Sequence, residues 1–93
     1  MNTLPKIKEF DFKEGNTYKM SFESSFLDNS IIALTAQKFN DQDIVGDASV
    51  SIFENVITAI LPNHLKRGTY NYDLEVNRNG IITTEFRGRI FIS

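Results

Sequence analysis

In residues 68–77, GTYNYDLEVN, the even positions Tyr70, Tyr72, Leu74 and Val76 are apolar or aromatic and alternate with Asn71, Asp73, Glu75 and Asn77. A period of two puts successive side chains on opposite faces of a pleated strand, whereas one face of a helix needs a period near 3.6. A long strand with one apolar face must bury that face against a second layer, so this segment alone commits the chain to a packed sheet.

The same rhythm recurs elsewhere. Tyr18, Met20 and Phe22 alternate with Lys19, Ser21 and Glu23, and the last segment carries Ile82, Phe86, Ile90 and Ile92 at even positions. A short first strand is expected around residues 7–12, with Phe10 and Phe12 on one face, followed by a turn at Glu14, Gly15 and Asn16. IIALTAQKF is apolar on both faces, which suits a central strand, although periodicity alone also allows a short buried helix. ASVSIF and NVITAIL flank Glu54 and Asn55 and read as a hairpin. Asp28, Asn29 and Ser30 form a polar tip, NDQDIVGD is expected to break regular structure, and LPNHLKRG is a connector with at most one helical turn. The sum is an all-β antiparallel sandwich of seven or eight strands, with residues 1–8 as an N-terminal arm and residues 9–93 as the single domain.

Register decides the turn between the last two strands. A two-residue Asn79-Gly80 turn pairs positions summing to 159 and sets Leu74 against Glu85. A three-residue loop, Arg78 to Gly80, pairs positions summing to 158 and matches Val76 with Ile82, Leu74 with Thr84 and Tyr72 with Phe86. It sets Tyr70 opposite Gly88 and leaves Asp73 facing Glu85, to be relieved by Arg87. The three-residue loop is therefore expected.

Composition narrows the functional classes. There is no cysteine, so packing or neighbouring subunits must supply stability. Ten Lys plus Arg against twelve Asp plus Glu give a formal charge of −2, which argues against nucleic acid as a partner. The opening MNTLPKIKEFDF has no secretory apolar core and no stretch approaches about 20 apolar residues, so a soluble protein made in the cytoplasm, with no membrane partner, is expected.

No constellation carries catalysis. His64 is the single histidine, and no G-x-S-x-G or glycine-rich phosphate loop occurs. Asp41, Asp43 and Asp47 lie near a glycine, but Ile44 and Val45 intrude and no glutamate closes a Ca²⁺ loop, so a solvated loop is expected. Arg87 and Arg89 share a polar strand face with Asp73, Glu75 and Glu85, the setting for a cross-strand ion network. Tyr18, Tyr70 and Tyr72 fall on core faces; Phe26, Phe39 and Phe91 are the aromatics least firmly assigned inward. No enzyme activity and no cofactor or metal are expected.

The pattern from Leu61 and Pro62 through Gly68, Tyr70, Tyr72, Asp73, Leu74 and Val76 to Gly80, Thr84, Gly88, Ile90 and Ile92 resembles the closing half of small bacteriophage virion domains. EGNTYKMSFE is similar to their opening strand, with Asn16 where aspartate is commoner, while their usual "DLTGYT" turn is missing. The resemblance runs from Gly15 to Ser93. It implies an immunoglobulin-like sandwich serving as a structural or adaptor module of a virion tail, baseplate, neck or head appendage, similar in style to the N-terminal domains of baseplate upper proteins. It further implies other virion proteins as partners and symmetric homo-oligomers.

Two groups of residues are candidates for docking: Leu4, Pro5 and Ile7, which precede the first firm strand, and His64, Lys66 and Arg67 in the connector. The alternative reading is a carbohydrate-binding module recognising a host surface glycan through the connector and the aspartate loop. It requires a solvent-facing aromatic flanked by polar side chains.

Overall fold

A computed structural model describes residues 4–25, 27–38 and 44–93, with backbone alone at 44 and 45. Two sheets face each other across one core. The larger runs β1 (Lys6–Ile7), β9 (Ile81–Ile92), β8 (Gly68–Arg78), β4 (Ile31–Lys38), β5 (Ile44–Asp47), with β2 (Phe10–Phe12) also on β9. The smaller runs β3 (Lys19–Glu23), β7 (Val56–Ile60), β6 (Ser49–Phe53). The expected sandwich is correct, and IIALTAQK is a strand between β8 and β5.

The alternating apolar positions supply the core. Tyr70, Tyr72, Leu74 and Val76 of β8, Leu34 and Ala36 of β4, and Phe86, Ile90 and Ile92 of β9 meet Met20, Phe22, Ile57 and Ala59 of the smaller sheet. A side chain of Leu, Ile or Phe size contributes about 1.5–3 kcal/mol when fully buried, so these positions dominate the folding free energy. Aromatic rings knit the centre: Phe22 lies 4.8 Å from Phe86 and 5.9 Å from Tyr72, centroid to centroid.

Nine strands are present among the described residues, where seven or eight were expected, for two reasons. NDQDIVGD does not wholly break regular structure: its last four residues form β5, paired with β4 through a bulge at Ala36/Gln37. The expected first strand splits in two at Lys8 and Glu9, and both halves run parallel to β9, so the larger sheet is mixed. Lys6 pairs with Phe86 and Phe10 with Ile90, the same offset of 80, so the split is a kink without a change of register. At the kink the Lys8 carbonyl lies over Gly88, where a Cβ would sit 2.1 Å from that oxygen. Gly88 is needed for this close approach of two backbones. The Tyr72 hydroxyl, whose ring lies opposite Gly88, donates to the same carbonyl at 2.7 Å.

The expected three-residue loop is also corrected. Arg78 pairs with Ile81 and Asn77 with Ile82, both summing to 159, so the turn is the two-residue Asn79-Gly80 with φ of 55° and 90°. Both positive angles suit the primed turn that matches strand twist. The conflict of Leu74 with Glu85 is avoided by a bulge at Leu74/Glu75, beyond which Leu74 faces Phe86 and the sum is 160. Consequently Asp73 faces Arg87, not Glu85, and Tyr72, not Tyr70, faces Gly88.

Candidate interaction surface

The bulge makes Glu85 the extra residue of β9 and frees it from the cross-strand array. Its carboxylate accepts from Arg78 at 2.5 Å and from the Ser24 hydroxyl, while Arg78 also donates to the Ser25 carbonyl at 2.8 Å. This cluster ties the β8–β9 hairpin of one sheet to the end of β3 in the other. Burial pushes the Glu85 carboxyl up, but the Arg78 and Ser24 hydrogen bonds outweigh it and hold the group below the usual range. Within the expected ion network, Arg87 and Asp73 pair 3.6 Å apart and half exposed.

Two clefts flank the arm where it meets this cluster. One, about 260 Å³, is lined by Leu4, Lys6, Arg78, Thr83, Thr84, Glu85 and Phe86. The other, about 300 Å³, lies between Lys6, Lys8, Ser21, Phe22, Glu23, Val56 and Phe86. Leu4 is 86% exposed and Ile7 68%, while Pro5 is half-buried. The arm is not loose, because residues 6 and 7 pair with β9 and the Lys8 amide donates to the Arg87 carbonyl at 3.0 Å. Lys8 also reaches the opposite sheet, donating to the Ser21 carbonyl at 2.7 Å with its ammonium 5.4 and 5.5 Å from the Phe10 and Phe22 rings. The apolar side chain of Ile7 is thus held out from a fixed strand, with Leu4 exposed two residues before it.

The connector residues lie elsewhere. Lys6 is opposite Phe86, whereas the connector leads into Gly68, opposite Ile92; six residues of β9 separate the two levels by about 20 Å. The two expected docking groups therefore form two separate patches, the arm beside the middle of β9 and the connector at its C-terminal end. Leu61 and Leu65 are buried, and the hydroxyls of Tyr18 and Tyr70 donate to the carbonyls of Leu65 and Lys66 at 3.0 and 2.6 Å. This pins the connector while His64, Lys66 and Arg67 stay exposed. The Arg67 amide donates to Glu14 at 2.9 Å, closing the loop onto the turn after β2. Within the connector Asn63 and His64 form a single turn, closed by the Leu65 amide donating to the Pro62 carbonyl at 3.4 Å.

Tyr18, Tyr70 and Tyr72 are buried as expected, and Phe91 is half-buried. Phe26, Phe39, Asp41 and Asp43 lie outside the described residues; Asp47 is exposed on β5. Sequence reasoning missed Phe53, which is 77% exposed at the end of β6, because ASVSIF carries aliphatic and aromatic residues at both parities near its end. It sits in a row with Val56 and Glu23 on the outer face of the smaller sheet. No group of three or more potential metal ligands occurs among the described residues. Nor is any helix among them long and apolar enough to cross a membrane.

No family model and no curated protein matches the chain in sequence. Solved structures match it in shape: InlP of Listeria monocytogenes, with TM-score 0.63 and 14% identity over 95% of this chain, and a titin structure, with TM-score 0.63 and 17% identity over 99%. The chain spans 26% and 47% of those two chains. At this identity the likeness speaks for the fold, and it defines the class: an immunoglobulin-like β-sandwich.

Proposed function

We propose that the chain is a structural or adaptor module of a bacteriophage particle that joins neighbouring virion proteins through its arm. The observation that carries this reading is the exposure of Leu4 and Ile7, 86% and 68%, with Ile7 borne on a strand paired to the edge of the larger sheet and Leu4 two residues before that strand. A partner surface can cover Ile7 at little entropic cost, because the strand that bears it is already paired, and Leu4 lies close enough in the chain to be covered with it. The resemblance of residues 15–93 to virion domains supplies the kind of partner, and the immunoglobulin-like fold accords with it.

The test is incorporation into particles. Leu4→Asp/Ile7→Asp changes only exposed side chains and should leave the thermal transition intact while the protein disappears from purified particles, quantified by mass spectrometry. Normal incorporation of this variant sinks the proposal. So does absence of the unaltered chain from particles.

A second reading, a carbohydrate-binding module, draws on Phe53, the solvent-facing aromatic that it requires, with Ser51 and Glu54 beside it. It expects saturable binding on a glycan array that Phe53→Ala abolishes, and a blank array removes it.

A further inference from the structure

A two-sheet sandwich has open edges, and this one treats them unequally. At the β5 edge the connector packs close, with Pro62 3.2 Å from where a Gly46 Cβ would lie. The β1/β2 edge is interrupted by the kink over Gly88, and the β3 edge is capped by the Lys8 ammonium at Ser21. These are the devices that keep sheet edges from pairing with other chains. Among the described residues, the edge of β6 has none of them. Ser49–Phe53 carries no charge and no proline, and it pairs with β7 without a bulge.

The free hydrogen-bonding groups of that edge can be assigned. The Asn55 carbonyl accepts from the Ser24 amide on the β3 side, so by alternation residues 55, 57 and 59 face β3 and 56, 58 and 60 face β6. Their partners Phe53, Ser51 and Ser49 therefore bond to β7, leaving the amides and carbonyls of Val50 and Ile52 directed outward.

We infer that β6 is the contact through which two copies of this chain associate, in antiparallel register about a two-fold axis at Ser51. That register sets Val50 against Ile52 of the second copy, twice, and satisfies all four outward groups as reciprocal hydrogen bonds. Faces also match. Ile52, 39% exposed on the core side, gains Val50 as a neighbour, and Ser51 meets Ser51. On the outer side Phe53 stands opposite Ser49, whose other neighbour is the 40% exposed Ile60. The small serine lets the ring of one copy reach Ile60 of the other, so the exposed Phe53, Val56 and Ile60 become one row across a six-stranded sheet. No pair across Ser49–Phe53 opposes like charges. Phe53 and Ile60 are covered together by this partner and by no feature among the described residues of the isolated chain.

Five residues of strand make a contact about 17 Å long, below the size of stable interfaces, so association should be seen from about 10 µM to about 1 mM and strengthen when other contacts hold copies together. The inference stands apart from the arm and from the virion reading.

The test is sedimentation equilibrium of the full chain across that range. Ser49→Lys/Ser51→Lys and Ser49→Glu/Ser51→Glu alter exposed outer-face positions and should fold normally by circular dichroism. Each alone brings like charges opposite or diagonal at three places and should weaken association at least about tenfold, whereas an equimolar mixture of the two restores it. A wild-type chain that stays monomeric throughout, doubly substituted chains that associate as the wild type does, or a mixture that fails to recover association each overturns the inference.

Discussion

Gly88→Ala tests the idea that the arm is a ninth strand locked over β9 and not an appendage. An added Cβ meets the Lys8 carbonyl oxygen at 2.1 Å and carbon at 2.9 Å. These are backbone atoms, so no rotamer change relieves the overlap; Lys8 must retreat by roughly 1 Å to regain ordinary contact. That retreat takes with it the amide bond to Arg87 and the acceptor of the buried Tyr72 hydroxyl. Leaving a buried hydroxyl unsatisfied costs about 1–3 kcal/mol, and the lost strand pairing brings the expected destabilisation to about 2–4 kcal/mol. For a chain of 93 residues this lowers the thermal midpoint by about 10–20 °C.

The decisive comparison is the same substitution in a chain lacking residues 1–8. There the clash partner is gone, and the φ of Gly88 is outside the left-handed region, so alanine should be neutral or stabilising by up to about 1 kcal/mol through the unfolded state. The sign of the effect should therefore change between the two backgrounds, a coupling of at least about 2 kcal/mol in a double-mutant cycle. Urea unfolding followed by circular dichroism measures it, with hydrogen exchange at the Lys8 amide as a direct readout of arm release. An equal cost in both backgrounds, or no cost in the full chain, refutes the argument.

Glu85→Gln should reduce stability at neutral pH, because the Glu85 carboxyl is held below its ordinary range despite burial. Such a group stabilises above its unfolded pKa of about 4.3 and loses that contribution as pH falls through the folded value, so wild-type and variant midpoints should converge in acid. At the alkaline end, burial first and then Asp73 raise the Tyr72 phenol; stability should fall above about pH 10, where the unfolded phenol ionises and the folded one does not. Tyr72→Phe should flatten that alkaline limb of the midpoint against pH. Tyr18→Phe removes a hydroxyl that donates to Leu65 at 3.0 Å and accepts from the Gly15 amide at 3.1 Å, and should cost about 1–2 kcal/mol by denaturant titration.

Where alternation was strict, the sequence was sufficient. Tyr18, Met20 and Phe22, or Tyr70 through Val76, have one face that water penalises and one that it does not, so burial follows parity. The last hairpin shows where this reasoning stops. Register arithmetic compares turns on the assumption of an unbroken ladder, and it rejected Asn79-Gly80 to keep Glu85 away from Leu74. The chain keeps the favoured turn and ejects Glu85 through a bulge, because a carboxylate satisfied by Arg78 and Ser24 costs less than one facing the core. The partners that make this possible lie 7 and 61 residues away, beyond any local pattern.

The interaction surfaces were legible to different depths for a related reason. Leu4 and Ile7 stood out because apolar residues preceded a strand that had no evident use for them. The β6 edge gave no such signal, since ASVSIF reads as an ordinary half-buried strand and its exposure depends on which strand ends a sheet. That is a property of topology: β5 passes directly from the larger sheet into the smaller, with the Ala48 amide bonded to Leu34, and so deposits β6 outermost. The same arrangement places Lys8 where it can guard β3 but not β6. An unguarded edge left by the order of strands is therefore where a small cysteine-free sandwich can recruit a second copy to extend its sheet, and Phe53 becomes intelligible only once that edge is seen.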